Sequence, residues 1–396
     1  MNTPDSFRGK AVLSLAHVVG MIDMVAPPLW IGALMQHYKY SPTQAGITVT
    51  LFLLGVVVSS LFFAPRFNRL PRRLATSAGF ALGAVALGVA ALQPVAVASF
   101  QMLAALHVIA GLGVGCALTF THGSIGRSAN PHRLWAVANI ALGVFAVFFL
   151  GGMPQLIAHT SATSFFAVVA AGMAVAATVT ALAFPTIEDT ATVPDTAMPV
   201  VNARIPGAAW FIVVVVICLT LNQAMVFSFV ERIGAERGFG VDKVNGVLIA
   251  LGLVNLLPGA LAAFLQNKWS PIAVGIAGPI GQAVLALVMS SALTFMPYAI
   301  SASLYVFMVI FTHTFLFGLL SRLDQSGRAV AATPAMMMVG SCIGPALGGV
   351  IVQGLGYQGL GWAACIVTFI AVIGMIQVRR SLSVAATQSI IKTAPA

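Results

Sequence analysis

The few charged residues of this chain are spaced in a pattern that constrains its fold more than any other feature. From Lys10 to Lys39 there are 28 residues with Asp23 as the sole charge. Lys39 to Arg66 encloses 26 uncharged residues, Arg73 to Arg127 encloses 53, and Arg133 to Glu188 encloses 54. The series then restarts, with 26 between Arg204 and Glu231, 24 between Lys243 and Lys268, 53 between Lys268 and Arg322, and 50 between Arg328 and Arg379. A helix that crosses a bilayer needs about 20 apolar residues. An interval near 26 therefore holds one helix and an interval near 53 holds a helical hairpin. The pattern predicts an all-α membrane protein with twelve transmembrane helices, in two parallel six-helix repeats. Polar breaks at Gln93-Pro94, His159-Thr160-Ser161, Met296-Pro297 and Gly354 to Gly361 divide the long intervals.

Composition removes the competing classes. Charged residues make up 7% of the chain and apolar residues 59%, against roughly 25% charged in a soluble domain. A soluble enzyme, a disordered chain and a nucleic-acid-binding domain are excluded. A transmembrane barrel would show alternating segments of about 10 residues instead of long apolar runs.

The net charge of +10 reads as topology. With both termini on the cytoplasmic side, fifteen of the nineteen Lys and Arg residues fall there and four (Lys39, Arg232, Arg237 and Lys243) fall outside. Basic residues favour cytoplasmic loops. The expected location is the cell's inner (plasma) membrane, multi-pass, with the lipid bilayer as partner and no nucleic acid. The first apolar stretch is of full span length with no small-residue cleavage site after it, so it is expected to remain in the chain.

Residues 186–206 break the pattern with Pro194, Pro199 and Pro206 beside Glu188, Asp189 and Asp195. This is a polar linker. It divides the chain into a six-helix bundle over 1–185 and a second over 207–396 with a short cytoplasmic tail. The two parts match each other. At an offset of 195, Thr119-Phe120, Gly123, Arg127, Arg133 and Ala136 fall on Thr314-Phe315, Gly318, Arg322, Arg328 and Ala331. At 199, Asn68-Arg69 falls on Asn267-Lys268 and Asp23 on Asn222. Parallel six-helix repeats are a transporter architecture, with the substrate site at the midplane between them.

These features together resemble the major facilitator superfamily, over the whole chain. The loop from Ala64 to Arg73 is similar to that family's Gly-x-x-x-Asp-Arg-x-Gly-Arg-Arg signature, matching at Arg69, Arg72 and Arg73, with Asn68 in place of the acid and both glycines lost. The stretch His107 to Gly113 is similar to the Arg-x-x-Gln-Gly-x-Gly of proton-coupled drug and metabolite exporters, with His107 at the Arg position. Gly340, Gly344, Pro345, Gly348 and Gly349 resemble the antiporter signature, placed in helix 11 instead of helix 5. The resemblance implies a transporter working by alternating access. It also implies a cytoplasmic gate drawn from Asn68, Arg69, Arg72, Arg73, Arg127, Arg133, Asp324 and Arg328. The motif glycines and Pro345 would let helices approach closely and bend.

Asp23 is the one charge expected well inside a span, at the centre of a first helix running from about Val12 to Leu34. An ionised carboxylate there costs at least about 2.5 kcal/mol, so it is expected to face a water-filled cavity or a partner. A carboxyl that exchanges a proton is what proton coupling needs, and a structural hydrogen bond is the other reading. Pro27 and Trp30 follow it at spacings of four and seven, on the same helix face, and Pro27 and Pro28 are expected to kink the helix just beyond the acid. His107, near the middle of helix 4, is the second candidate for coupling, with a structural role equally open. His17 and His313 are weaker cavity candidates, and a satisfied core histidine is the stronger reading for these two and for His122. Asn222 and Gln223 on helix 7 either bind substrate or bridge helices.

No Lys or Arg falls near a midplane, which argues against a strongly anionic substrate. Cys116, Cys218, Cys342 and Cys365 form no Cys-x-x-Cys pair, so neither metal nor cofactor is expected. The expected function is proton-coupled export of a small amphipathic organic compound by a monomer. Proton-coupled uptake is the alternative. An intramembrane enzyme would need a nucleophile with a base, and a receptor would bring a signalling domain; neither pattern is present.

Overall fold

The computed structural model describes residues 3–95, 98–161, 163–186, 206–323 and 333–393. Most of the linker, and both Asp324 and Arg328, lie outside the described residues. Among those described, every regular element is helical. The helices are α1 (Phe7–Gly20), α2 (Pro27–Gln36), α3 (Pro42–Phe63), α4 (Arg72–Leu92), α5 (Phe100–Gly126), α6 (Pro131–His159), α7 (Thr163–Ala183) and α8 (Gly207–Phe227). They continue as α9 (Val230–Glu236), α10 (Val241–Val254), α11 (Pro258–Leu265), α12 (Pro271–Ser291), α13 (Phe295–Leu323), α14 (Thr333–Leu355) and α15 (Gln358–Thr393). Eleven helical segments are long and apolar enough to cross a membrane, two of them formed by the pairs α8–α9 and α10–α11.

The first apolar interval is not among the eleven, and this corrects the sequence reading. Instead of one helix from Val12 to Leu34, α1 stops at Gly20, a 3-10 turn covers Ile22–Met24, and α2 starts at Pro27. The first N–H groups of a helix have no intrahelical acceptor. Pro27 and Pro28 occupy the first positions of α2 and bring no N–H, so a helix start inside apolar surroundings leaves fewer donors unsatisfied. The turn satisfies its own groups: Met24 N donates to Met21 O at 3.1 Å, and Val25 N and Ala26 N donate to Ile22 O at 3.0 and 2.8 Å.

Other helix starts follow their sequence signals. Ser41 and Gln44 form a reciprocal capping box at α3, with Pro42 behind it. Ser99 caps α5 and Asn130 caps α6. Hydroxyls inside the helices turn back to carbonyls four residues earlier: Thr48 to Gln44, Thr121 to Ala117, Ser124 to Phe120 and Thr180 to Ala176. Polar groups that cannot reach water are satisfied locally in this way.

Helix contacts fall into two sets. α3, α4, α5 and α7 pack together with α1 and α6, and α8, α12, α13, α14 and α15 pack together. Between the sets, α3 packs on α14, α6 on α10, and α2 on α8 and α9. The turns at residues 37–41 and 237–240 share one end of the molecule, called here the Lys39 end; the turns at 64–71 and 266–270 share the other, the Arg66 end. Towards the Lys39 end one apolar cluster runs through both sets, joining Trp30, Val49 and Phe52 to Phe229, Leu248 and Tyr298. Towards the Arg66 end the clusters stay within a set, one around Leu13, Ile125 and Leu134 and another around Ile212, Leu316 and Met375.

Candidate functional site

Asp23 sits in the break between α1 and α2, 8% exposed. Its carboxyl oxygen Oδ1 is buried without a hydrogen-bond partner. A buried charged oxygen without a donor is unfavourable. Because the helix breaks before Pro27, the expected shared face of Asp23 and Trp30 does not form.

Trp30 turns instead to His107. Its indole Nε1 donates to His107 Nε2 at 3.0 Å, and His107 Nδ1 lies 2.6 Å from Leu103 O. Since Trp30 is a donor, Nε2 accepts and Nδ1 carries the hydrogen to Leu103 O. Both ring nitrogens of this fully buried histidine are engaged. Phe165 packs on Trp30 and Phe166 on His107. The pair couples α2 to α5, and among the described residues neither ring is hydrogen-bonded to Asp23.

His17 meets His122, with Nδ1 and Nε2 3.1 Å apart. Both rings meet the edge or face of Trp135, Asn139 lies beside His17, and His17 Nε2 is buried without a partner. The Trp135 contribution was missed in the sequence, because a tryptophan in an apolar run carries no positional signal.

Asn222 is buried in α8. Its Nδ2 donates to Ala364 O at 3.1 Å and to Thr368 Oγ1 at 3.2 Å, while Oδ1 has no partner. Tyr305 donates to the Asn222 carbonyl at 2.7 Å, and Gln282 donates to Leu219 O at 3.0 Å. This network joins α8, α12, α13 and α15. Gln282, Tyr305 and Thr368 were not singled out in the sequence. Gln223 is buried beside Asn222. His313 is buried in α13, stacked on Phe317 with ring centroids 5.5 Å apart, and its Nε2 has no partner.

The signature glycines pack helices. A Cβ on Gly344 would stand 2.5 Å from the Ala224 Cβ and one on Gly348 2.7 Å from Met225 O, so α14 lies directly on α8. Gly340 meets α8 in the same way, and Gly349 faces the carbonyl of Pro42 in α3. Beside Pro345, α14 is bridged from α3 by a residue that the sequence did not flag. Thr50 of α3 donates to Cys342 O at 2.8 Å and accepts from Ala346 N at 3.1 Å. Its hydroxyl thus stands between the two groups that would pair in a regular helix. Among the described residues, these and the Cys342 Sγ contact to Thr50 O are the hydrogen bonds between the two sets.

At the Arg66 end, Asn68 is the hub of the loop. Its Oδ1 accepts from Arg127 Nη2 at 2.7 Å and from Arg72 Nη2 at 3.5 Å. Both guanidinium groups lie over the Phe67 ring, 4.9 Å for Arg72 and 5.2 Å for Arg127, and Phe67 stacks on Phe120. Arg73 Nε donates to Ala181 O. Arg69 and Arg133 are exposed. The neutral amide thus keeps the acceptor role that an acid would fill, and Phe67 supplies a cation-binding face.

Residues 12–324 match the model of the Major Facilitator Superfamily. The chain belongs to this superfamily. It is a multi-pass membrane protein and a transporter rather than an enzyme. The fold agrees with the crystal structure of a D-xylose-proton symporter, at a TM-score of 0.71 and 16% identity, over 94% of this chain and 97% of that one. No curated protein matches in sequence. Among the described residues every regular element is a helix, so the buried polar positions on these helices are the candidates for its transport chemistry.

Proposed function

We propose that this superfamily member is a proton-coupled secondary transporter that alternates access between two six-helix bundles, 1–185 and 207–396, joined by the linker 186–206. The broken pair α1–α2 counts as the first of twelve spans. With both termini cytoplasmic in the inner membrane, the Lys39 end is the outer end. The continuous apolar cluster there and the separate clusters at the Arg66 end fit a state closed outside and parted inside.

The observation that carries the coupling assignment is Asp23, a buried carboxyl with an unpartnered oxygen in a broken helix. Discontinuous helices at the midplane are where transporters of this kind place ion and substrate contacts, and an intramembrane acid is functional by default. Asn222, Gln223 and His313 are the cavity contacts from the other bundle. His107 acts through Trp30, holding α2 against α5. Asn68, with Arg72 and Arg127, latches the cytoplasmic end.

Export of a small amphipathic organic compound is the preferred direction, supported by the antiporter-like glycine motif in α14. Proton-coupled uptake has one observation of its own in its favour, the structural similarity to a proton symporter. Purified protein in vesicles containing a pH-sensitive dye separates them. Ethidium added to vesicles of known orientation is expected to move protons against its own direction, and D-xylose is expected not to. Proton entry together with D-xylose would establish the uptake reading. Gradient-driven accumulation that survives Asp23→Asn would remove Asp23 from the mechanism.

A further inference from the structure

An acid also lies at the contact between the two helix sets, where the charge pattern ended an uncharged interval. Glu231 is in the first turn of α9, inside the continuous apolar segment Gly207–Glu236. Its Oε2 is buried without a hydrogen-bond partner. That oxygen rests on Gly32 of α2: a Cβ there would stand 2.5 Å from Oε2 and 3.2 Å from the carboxyl carbon. A side chain at position 32 would push the carboxyl end of Glu231 away from α2. Gly32 and Glu231 are 199 residues apart, the offset that also pairs Asp23 with Asn222. Under an approximate two-fold relation, a position near the axis meets its own counterpart, and this contact has that form.

The surrounding groups leave the carboxyl oxygen without a donor. On its own helix, Arg232 is hydrogen-bonded to Tyr357 and its Nε is buried without a partner, while its charge also acts on the neighbouring Glu231. Glu236 lies a turn further on and is exposed. From α13, the Tyr298 hydroxyl donates to Val230 O at 2.8 Å. From the turn after α2, His37 and Lys39 interact with one another, and His37 with Arg232. At the start of α10, Lys243 lies 5.4 Å from the centre of the Phe295 ring, and Asp242 is exposed. An ionised oxygen without donors is strongly disfavoured, and a neutral carboxyl much less so.

We propose that Glu231 is a second proton-carrying group of this transporter: it closes on Gly32 as the neutral acid and parts from it as the carboxylate, so that proton release opens the Lys39 end. The proposal rests on the alternating-access reading above. Closing and proton binding are then linked, each favouring the other.

Spin labels at Gln36 and Ala235, exposed positions on α2 and α9, read this end in the full-length protein in lipid. Labels at Arg69 and Lys268 read the other. In the otherwise native protein, the ratio of short to long distances at the first pair is expected to fall about tenfold between pH 5 and pH 8. Glu231→Gln is expected to hold the short distance at both pH values, and Gly32→Ala to favour the long one. A pH response retained in Glu231→Gln would overturn the proposal, as would absence of the response in the protein without these substitutions. Both pairs staying fixed under every condition would overturn alternating access itself, which distinguishes the two failures. Should Gly32→Ala fail to fold, Glu231→Gln against Glu231→Asp decides alone, because Asp keeps a titrating group.

Discussion

Asp23 and Asn222 stand at matching places under the 199-residue offset, yet their surroundings differ. Around Asp23 the helix is broken, and around Asn222 it is continuous to Phe227. The cause lies in the flanking residues. Gly20, Pro27 and Pro28 on one side correspond to Leu219, Val226 and Phe227 on the other. Proline cannot continue the ladder from the preceding turn, whereas the second set can. Both positions keep one buried, unpartnered side-chain oxygen. The Asn222 amide is tied to Ala364 and Thr368, while Asp23 lies in the 3-10 turn between α1 and α2. The pair teaches how one repeat can hold a buried acid in a helix break and the other an amide braced by neighbouring helices.

The strongest way to break this comparison is to exchange the two side chains. Asp23→Asn is expected to reduce pH-gradient-driven accumulation to background, and adding Asn222→Asp is expected not to restore it, because the second site is braced by four helices. Restoration in vesicle assays would show that the break is dispensable. Mending the break with Pro27→Ala and Pro28→Ala is expected to lower coupled transport about tenfold while binding persists, a factor equivalent to about 1.4 kcal/mol.

Smaller effects test the supports. Asn222→Ala removes donors to two acceptors and is expected to destabilise the protein by about 1–2 kcal/mol in a denaturant titration in detergent. Thr50→Val leaves Cys342 O and Ala346 N free to pair directly, so a loss of less than about 1 kcal/mol is expected, with Thr50→Ser close to the unsubstituted protein. The smallest effect concerns His37, the counterpart of Glu236 in the turn outside the membrane. Burial, then the positive charges of Lys39 and Arg232, hold its imidazole below the ordinary value of 6.5. A group depressed in this way contributes stability that is present above pH 6.5 and is lost as the pH falls towards the folded-state value. His37→Gln is expected to flatten the fall in melting temperature on the acid side.

Much of the site was legible in residue identity alone. Asp23 stood out because a charge in an apolar run is rare, and Asn68 because it interrupts a basic signature. Trp30 and His107 were each picked out, yet their pairing was not, since they are 77 positions apart. Glu231 was read only as the end of an uncharged interval, since Arg232, Glu236 and Arg237 follow it closely. Thr50 and Phe67 gave no signal, as threonine and phenylalanine are ordinary in a membrane helix or its loop.

The sequence by itself determined the membrane class, the approximate span count and the superfamily, because lipid forces backbone groups into long apolar helices and the charges mark their ends. The tertiary structure alone decided which buried oxygens lack donors, where the first helix breaks, and that Gly32 receives Glu231. Those outcomes depend on contacts between helices distant in sequence, which local periodicity does not encode.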